Sequence, residues 1–213
     1  MGAAFRVATI ALVGCGRLGF PVHGSDGGDS TTIDFPPATI RLSNVGATAS
    51  CSTFVRPAVN EYGHFLAVRL TPPSTPFTVG KIEYALENQP AQNCLAGLVH
   101  VVQAFKSTTT TPPATPNALD ELSIDLSDTL PVGVVLVEQT LAAPVLLDAG
   151  EHFFIAIQMV GDASNNKLCV ETCDMLDPMA TGELNFWSDA TSPPYPWRLS
   201  TITVANVTSL GWQ

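Results

Sequence analysis

Between Asn185 and Arg198 the chain collects Trp187, Tyr195 and Trp197 in a run stiffened by Pro193, Pro194 and Pro196, with Asn185, Asp189 and Arg198 beside them. Recognition of a sugar needs flat apolar rings against the C–H face of a pyranose and planar polar side chains for its hydroxyls. Fixing both in a rigid segment lowers the entropic cost of binding. Asn185, Trp187, Asp189, Tyr195, Trp197 and Arg198 are therefore a candidate glycan site. The same composition also suits a structural use, in which Trp187 and Trp197 plug the end of a β-sandwich and the prolines cover a sheet edge.

A second group offers oxygen. Asp162 and Asn165, with Asp174 and Asp177 further on, supply the hard ligands that calcium prefers, although any solvated loop is built from the same residues. Structural calcium is the one cofactor the sequence suggests. His64, His100 and His152 fall in strand-like runs and His23 in a glycine-rich segment. No Gly-x-Ser-x-Gly elbow, His-Glu-x-x-His pair or phosphate loop accompanies them, so no catalytic residue is assigned and a non-enzymatic protein is expected.

Apart from Cys15 there are four cysteines, Cys51, Cys94, Cys169 and Cys173, an even number that fits disulfides in an oxidising compartment. Their connectivity is open. The short separation of Cys169 and Cys173 favours a local bridge closing the 168–174 turn, with Cys51–Cys94 tying two distant strands. A Cys-x3-Cys pair can also be half of a zinc site, but no second thiol or histidine pair stands near it in sequence.

The amino terminus indicates where such a protein lives. After Arg6, residues Val7 to Val13 form a short apolar run that ends in Gly14-Cys15. One positive charge, an apolar segment of signal length and small residues before a cut describe an export signal; a membrane span needs about 20 apolar residues. Leu12-Val13-Gly14-Cys15 resembles the lipobox of bacterial lipoproteins. The resemblance implies cleavage before Cys15 by signal peptidase II and lipidation of that cysteine with a diacylglyceryl group and, usually, an amide-linked chain. A single acyl chain, at about 0.8 kcal/mol per buried methylene, anchors only weakly, and the additional chains meet that shortfall. Gly16, where Asp marks inner-membrane retention, implies the outer membrane in a Gram-negative host. An ordinary secretory signal with a coincidental cysteine is the second reading, and a cytosolic protein the last. The expected organisation is a signal at 1–14, a lipid-anchored tether at 15–32 and one folded domain at 33–213. The tether assignment rests on Gly24-Ser25-Asp26-Gly27-Gly28-Asp29-Ser30, which cannot bury enough apolar surface to fold.

The elements that must position the candidate residues read as strands. Residues 38–42 and 63–71 alternate, and Pro72, Pro73 and Pro76 stop the second run. Period two resumes at Phe77 and sets Phe77, Val79, Ile82, Tyr84 and Leu86 on core faces, with a slip at Gly80 that suggests a bulge. Strands follow at 98–105, 122–127, 132–141 and 145–147. The tight turn Asp148-Ala149-Gly150-Glu151 then feeds 152–160, an almost continuous apolar run and hence a central strand covered on both faces. Roughly nine or ten short strands, and no amphipathic stretch of helical length, predict an all-β fold: an antiparallel β-sandwich of jelly-roll type. The Leu146–Ile157 hairpin, with its Ala-Gly-Glu turn and aromatic return strand, resembles hairpins of accessory β-sandwich domains on bacterial secreted proteins.

Charge narrows the partners. A formal net charge of −10 with nine Lys and Arg cannot neutralise phosphates, which sets aside nucleic acid and anionic lipid surfaces. The expectation is a lipid-anchored envelope or cell-surface β-sandwich that binds glycan through its aromatic loop. A structural or protein-interaction subunit of an envelope assembly is the alternative. A hydrolase, marked by His64, His100 or His152 meeting carboxylates in a cleft, comes third.

Overall fold

The computed structural model of the chain describes residues 39–44, 51–126, 129–174, 185–200, 203–205 and 207–212. The segments expected to be an export signal and a tether, with Cys15, and Asp177 lie outside the described residues. The strands, in chain order, are β1 (Ile40–Ser43), β2 (Cys51–Val55), β3 (Phe65–Leu70), β4 (Phe77–Asn88), β5 (His100–Ser107), β6 (Asp120–Ile124), β7 (Gly133–Leu147), β8 (His152–Gln158), β9 (Cys169–Asp174), β10 (Asn185–Ser188), β11 (Arg198–Leu199), β12 (Thr203–Ala205) and β13 (Val207–Trp212). They form two antiparallel sheets packed face to face, an all-β sandwich. One is six-stranded, in the order β11-β10-β3-β8-β5-β6. In the seven-stranded sheet the long β4 has β7 along one edge and β13 and then β9 along the other; β1 lies outside β13, and β2 and β12 pair with β9.

The core between the sheets follows from the alternation along β4. Phe77, Val79, Ile82, Tyr84 and Leu86 are all buried there. Their parity changes between Val79 and Ile82 because the ladder with β7 slips at Gly80: Val79 pairs with Val145 and Lys81 with Thr140. Residues Leu141-Ala142-Ala143-Pro144 thus arch opposite a single glycine. The two runs expected at 132–141 and 145–147 are accordingly one strand, interrupted only by its own bulge, where Pro144 is tolerated because no ladder donor is required of it. Tyr84 also anchors a polar pair. Its hydroxyl donates to His100 Nε2 at 2.7 Å, while His100 Nδ1–H donates to the Leu98 carbonyl at 2.7 Å.

The run expected to be central is β8, held between β3 and β5. Period two sends Phe153, Ile155 and Ile157 into the core between the sheets and Phe154 and Ala156 to the opposite face, where they join a second buried cluster with Phe65, Ala67, Phe105, Phe186 and Tyr195. Both faces of β8 are covered.

The cysteine pairing differs from the expectation. Residues 169–174 form a strand instead of a turn, and two residues four apart on a strand are separated by about 13 Å, whereas a disulfide needs Cα atoms within about 7 Å. Cys169 and Cys173 therefore cannot bridge. Cys173 is joined to Cys51 across the β2–β9 ladder with a Cα separation of 4.0 Å, and Cys169 is joined to Cys94 at 5.4 Å. Each bond closes a long excursion of the chain, with sequence separations of 122 and 75.

Candidate functional site

The outer face of the six-stranded sheet carries a row set by strand register: Glu121 on β6, Gln103 on β5, Ala156 on β8, Ala67 on β3 and Phe186 on β10. Two alanines at the centre leave room above the sheet. That room is roofed by residues 190–197, which cross the face and latch onto the other proline-rich segment. The Tyr195 backbone N–H donates to the Ala114 carbonyl at 2.6 Å, and the Trp197 indole N–H donates to the Pro113 carbonyl at 3.0 Å. The Tyr195 ring then stands edge-on to Phe65, centroids 5.3 Å apart, and is 3% exposed. Gly63, just ahead of β3, accommodates this approach: it has a φ of +89°, and a Cβ there would stand 2.8 Å from the Thr191 methyl.

Beside the roof, toward β6, lies a groove of about 370 Å³ bordered by Phe65, Gln103, Glu121, Gln158, Pro193 and Tyr195, within the size range of small-molecule sites. Gln103 is 8% exposed, and its Nε2 donates to Glu121 Oε2 at 2.8 Å. A carboxylate can only accept, so this contact fixes the amide with its NH₂ toward Glu121. The Tyr195 hydroxyl is close enough to feel both groups. Burial raises its pKa, the Gln103 amide works against that and the Glu121 charge adds to it, for a net upward shift. Gln103 Oε1 is buried and has no hydrogen-bond partner among the described residues.

Of the six residues proposed for glycan, Tyr195 borders this groove. Trp187 and Trp197 do not share a platform, because successive residues of β10 face opposite ways. Phe186 enters the outer cluster, against which Trp197 packs, whereas Trp187 packs at the margin of the core between the sheets and beside His64. Asp189 is shared between two partners, accepting from Trp187 Nε1 at 3.1 Å and pairing with Arg198 at 3.0 Å. Asn185 is fully buried.

The oxygen cluster is likewise dispersed. Asp162 accepts the backbone N–H groups of Ser164 and Asn166, each at 2.9 Å, and the Asn166 side-chain amide at 2.8 Å. The Asn166 side chain is the main cause holding its carboxyl below the usual range. Asn165 sits in the left-handed region at φ 64°, so these side chains close a turn. Asp174 lies at the far end of β9, about 17 Å from that strand's first residue Cys169, and Asp177 is not among the described residues. Among those residues no three His, Cys, Asp or Glu side chains are placed to hold a metal.

The histidines occupy three separate settings: His100 against Tyr84, His152 with its Nδ1 2.8 Å from Thr71 Oγ1, and His64 edge-on to Trp187. Gln103, Glu121, Gln158 and Phe65 were not legible as site residues. A single amide inside the apolar run Leu98–Phe105 was the available sign, since such a residue is either bonded in the core or turned to a ligand.

Fold and site together define a disulfide-bonded all-β sandwich with a small roofed groove on the outer face of one sheet. No protein family, curated protein or solved structure matches the chain.

Proposed function

We propose that this protein is a non-enzymatic, lipid-anchored β-sandwich of the bacterial envelope, facing the periplasm or the cell surface from the outer membrane, that binds glycan on the outer face of its six-stranded sheet. The groove beside Tyr195 carries the reading. It places apolar ring and proline surface next to planar amide and carboxylate groups on a rigid frame, the combination a pyranose requires. The two disulfides support export, since such bonds persist outside the reducing cytoplasm. Lipidation rests on the resemblance of Leu12-Val13-Gly14-Cys15 to a lipobox.

Binding is tested by titrating the full-length protein in detergent with a panel of envelope and environmental polysaccharides, followed by tryptophan fluorescence with and without calcium. Saturable change with one glycan class is expected; a folded protein that answers to none contradicts the reading. Lipidation is tested by metabolic labelling with an alkynyl fatty acid, with Cys15→Ala expected to abolish the label.

A second reading, an assembly subunit, is favoured by β7. Among the described residues β7 pairs only with β4, and Val132, Val134 and Leu136 are exposed by 78%, 48% and 62% along its start. An open edge bearing an apolar row is a template for strand addition by another protein. Self-association at micromolar concentration that Leu136→Lys abolishes would favour this reading over the first.

A further inference from the structure

We infer that the groove selects glycans bearing a free amine, such as glucosamine oligomers, over neutral and acidic ones; this rests on the glycan reading above. The groups lining the groove are unequal in hydrogen-bonding capacity. Gln103 donates one N–H to Glu121 and holds a buried, unpartnered Oε1. Glu121 receives that amide on one oxygen and carries the charge of the site: no Lys or Arg is among the residues that line it. A ligand entering here meets an exposed carboxylate with no cation beside it, backed by a buried amide oxygen that has no partner. Neutral hydroxyls can donate to these atoms, but an ammonium donates and also neutralises, and a charge-assisted hydrogen bond is roughly twice as strong as a neutral one. An N-acetylated sugar presents an amide in place of that charge, and a uronic or sulfated sugar brings a like charge next to Glu121. The net charge of −10 extends the same preference to the approach of the ligand. The apolar strip of Phe65, Pro193 and Tyr195 supplies the surface for the C–H face of the ring, so the carboxylate sets selectivity while the strip contributes affinity common to all sugars.

The test compares a glucosamine tetramer, its N-acetylated counterpart and a neutral gluco-oligosaccharide, each titrated into the full-length protein by calorimetry. The amine form should bind at least about tenfold more tightly than the other two, an advantage that shrinks as salt is raised, because Glu121 is exposed to solvent. Glu121→Gln, a near-isosteric change on an exposed strand, should bring the ratio to within about twofold, while Glu138→Gln, on the other sheet and paired with Lys81, should leave it intact. Equal affinities for amine and N-acetyl forms overturn the amine selectivity and leave the glycan reading standing. Absence of binding to all three overturns both. Calcium chloride alone abolishing amine binding at micromolar concentration would reassign the oxygens of Gln103 and Glu121 to a metal and overturn the inference.

Discussion

Phe153 and Phe154 are consecutive, equally buried, and belong to different cores. Phe153 points between the two sheets, where strand packs on strand and each backbone is fixed by its ladder. Phe154 points the other way, stacks on Phe105 at 5.4 Å and is covered by a proline-stiffened loop held through backbone and indole hydrogen bonds. One side of the six-stranded sheet is thus sealed by secondary structure and the other by a roof. A roof leaves a margin, and the groove is that margin: a sheet-on-sheet face interdigitates without gaps, whereas a loop laid over two alanines does not fill the surface beside it.

The difference is measurable by breaking each side in turn. Phe153→Ala should cost about 3–5 kcal/mol in urea denaturation, because two ladder-bound sheets relax little around the cavity, and Phe154→Ala about 1 kcal/mol less, because the roof can settle. Equal costs would show that the roof is as unyielding as a sheet. Removing the Cys94–Cys169 bond with a paired Cys→Ala change should cost about 2–4 kcal/mol and leave the groove unaltered, since both bridges staple the other sheet. Glutamyl-specific cleavage of the unreduced, unfolded chain, which cuts after Glu87, Glu151 and Glu171 among others, puts the four cysteines on separate peptides and reports the pairing directly by mass; Cys51 should travel with Cys173. Trp197→Phe, which removes the indole donor to Pro113 together with part of the ring, should cost at least about 1 kcal/mol and accelerate hydrogen exchange at the Tyr195 amide more than at β8 amides.

The smallest effect concerns acid. Burial lowers the pKa of His100, with the Leu98 carbonyl opposing, and burial followed by the Arg69 charge lowers that of His152. An unfolded histidine titrates near about 6.5. Between that value and the folded pKa the unfolded chain binds the extra proton, so stability is complete above about pH 6.5 and declines as the pH falls toward the folded value. His100→Gln should flatten most of the slope in a series of thermal melts; an unchanged slope would assign it to other groups.

Much of the inner side was readable from sequence because alternation reports burial on a regular strand. Phe77 to Leu86, the Gly80 slip and the centrality of β8 all follow from period two. Alternation does not report strand order, and the groove depends on it: Gln103, Glu121 and Gln158 meet only because β6, β5 and β8 are neighbours. The cysteines misled for a related reason. Closeness in sequence favours Cys169–Cys173 only if the segment turns, and as a strand it carries the two thiols apart. Trp187 and Trp197 looked like one surface because the loop between them is short and stiff, yet residues 186 and 187 alternate across β10, which sends one tryptophan to each side of the sheet.

Amide-resolved hydrogen exchange of the full-length protein, with and without a glucosamine oligomer, tests most directly that the roofed outer face is the binding face. Slowing confined to residues 101–103, 116–121 and 190–195 is expected. Slowing centred on the Asp162–Asn166 turn or along the open edge of β7, with the roof unchanged, would contradict it.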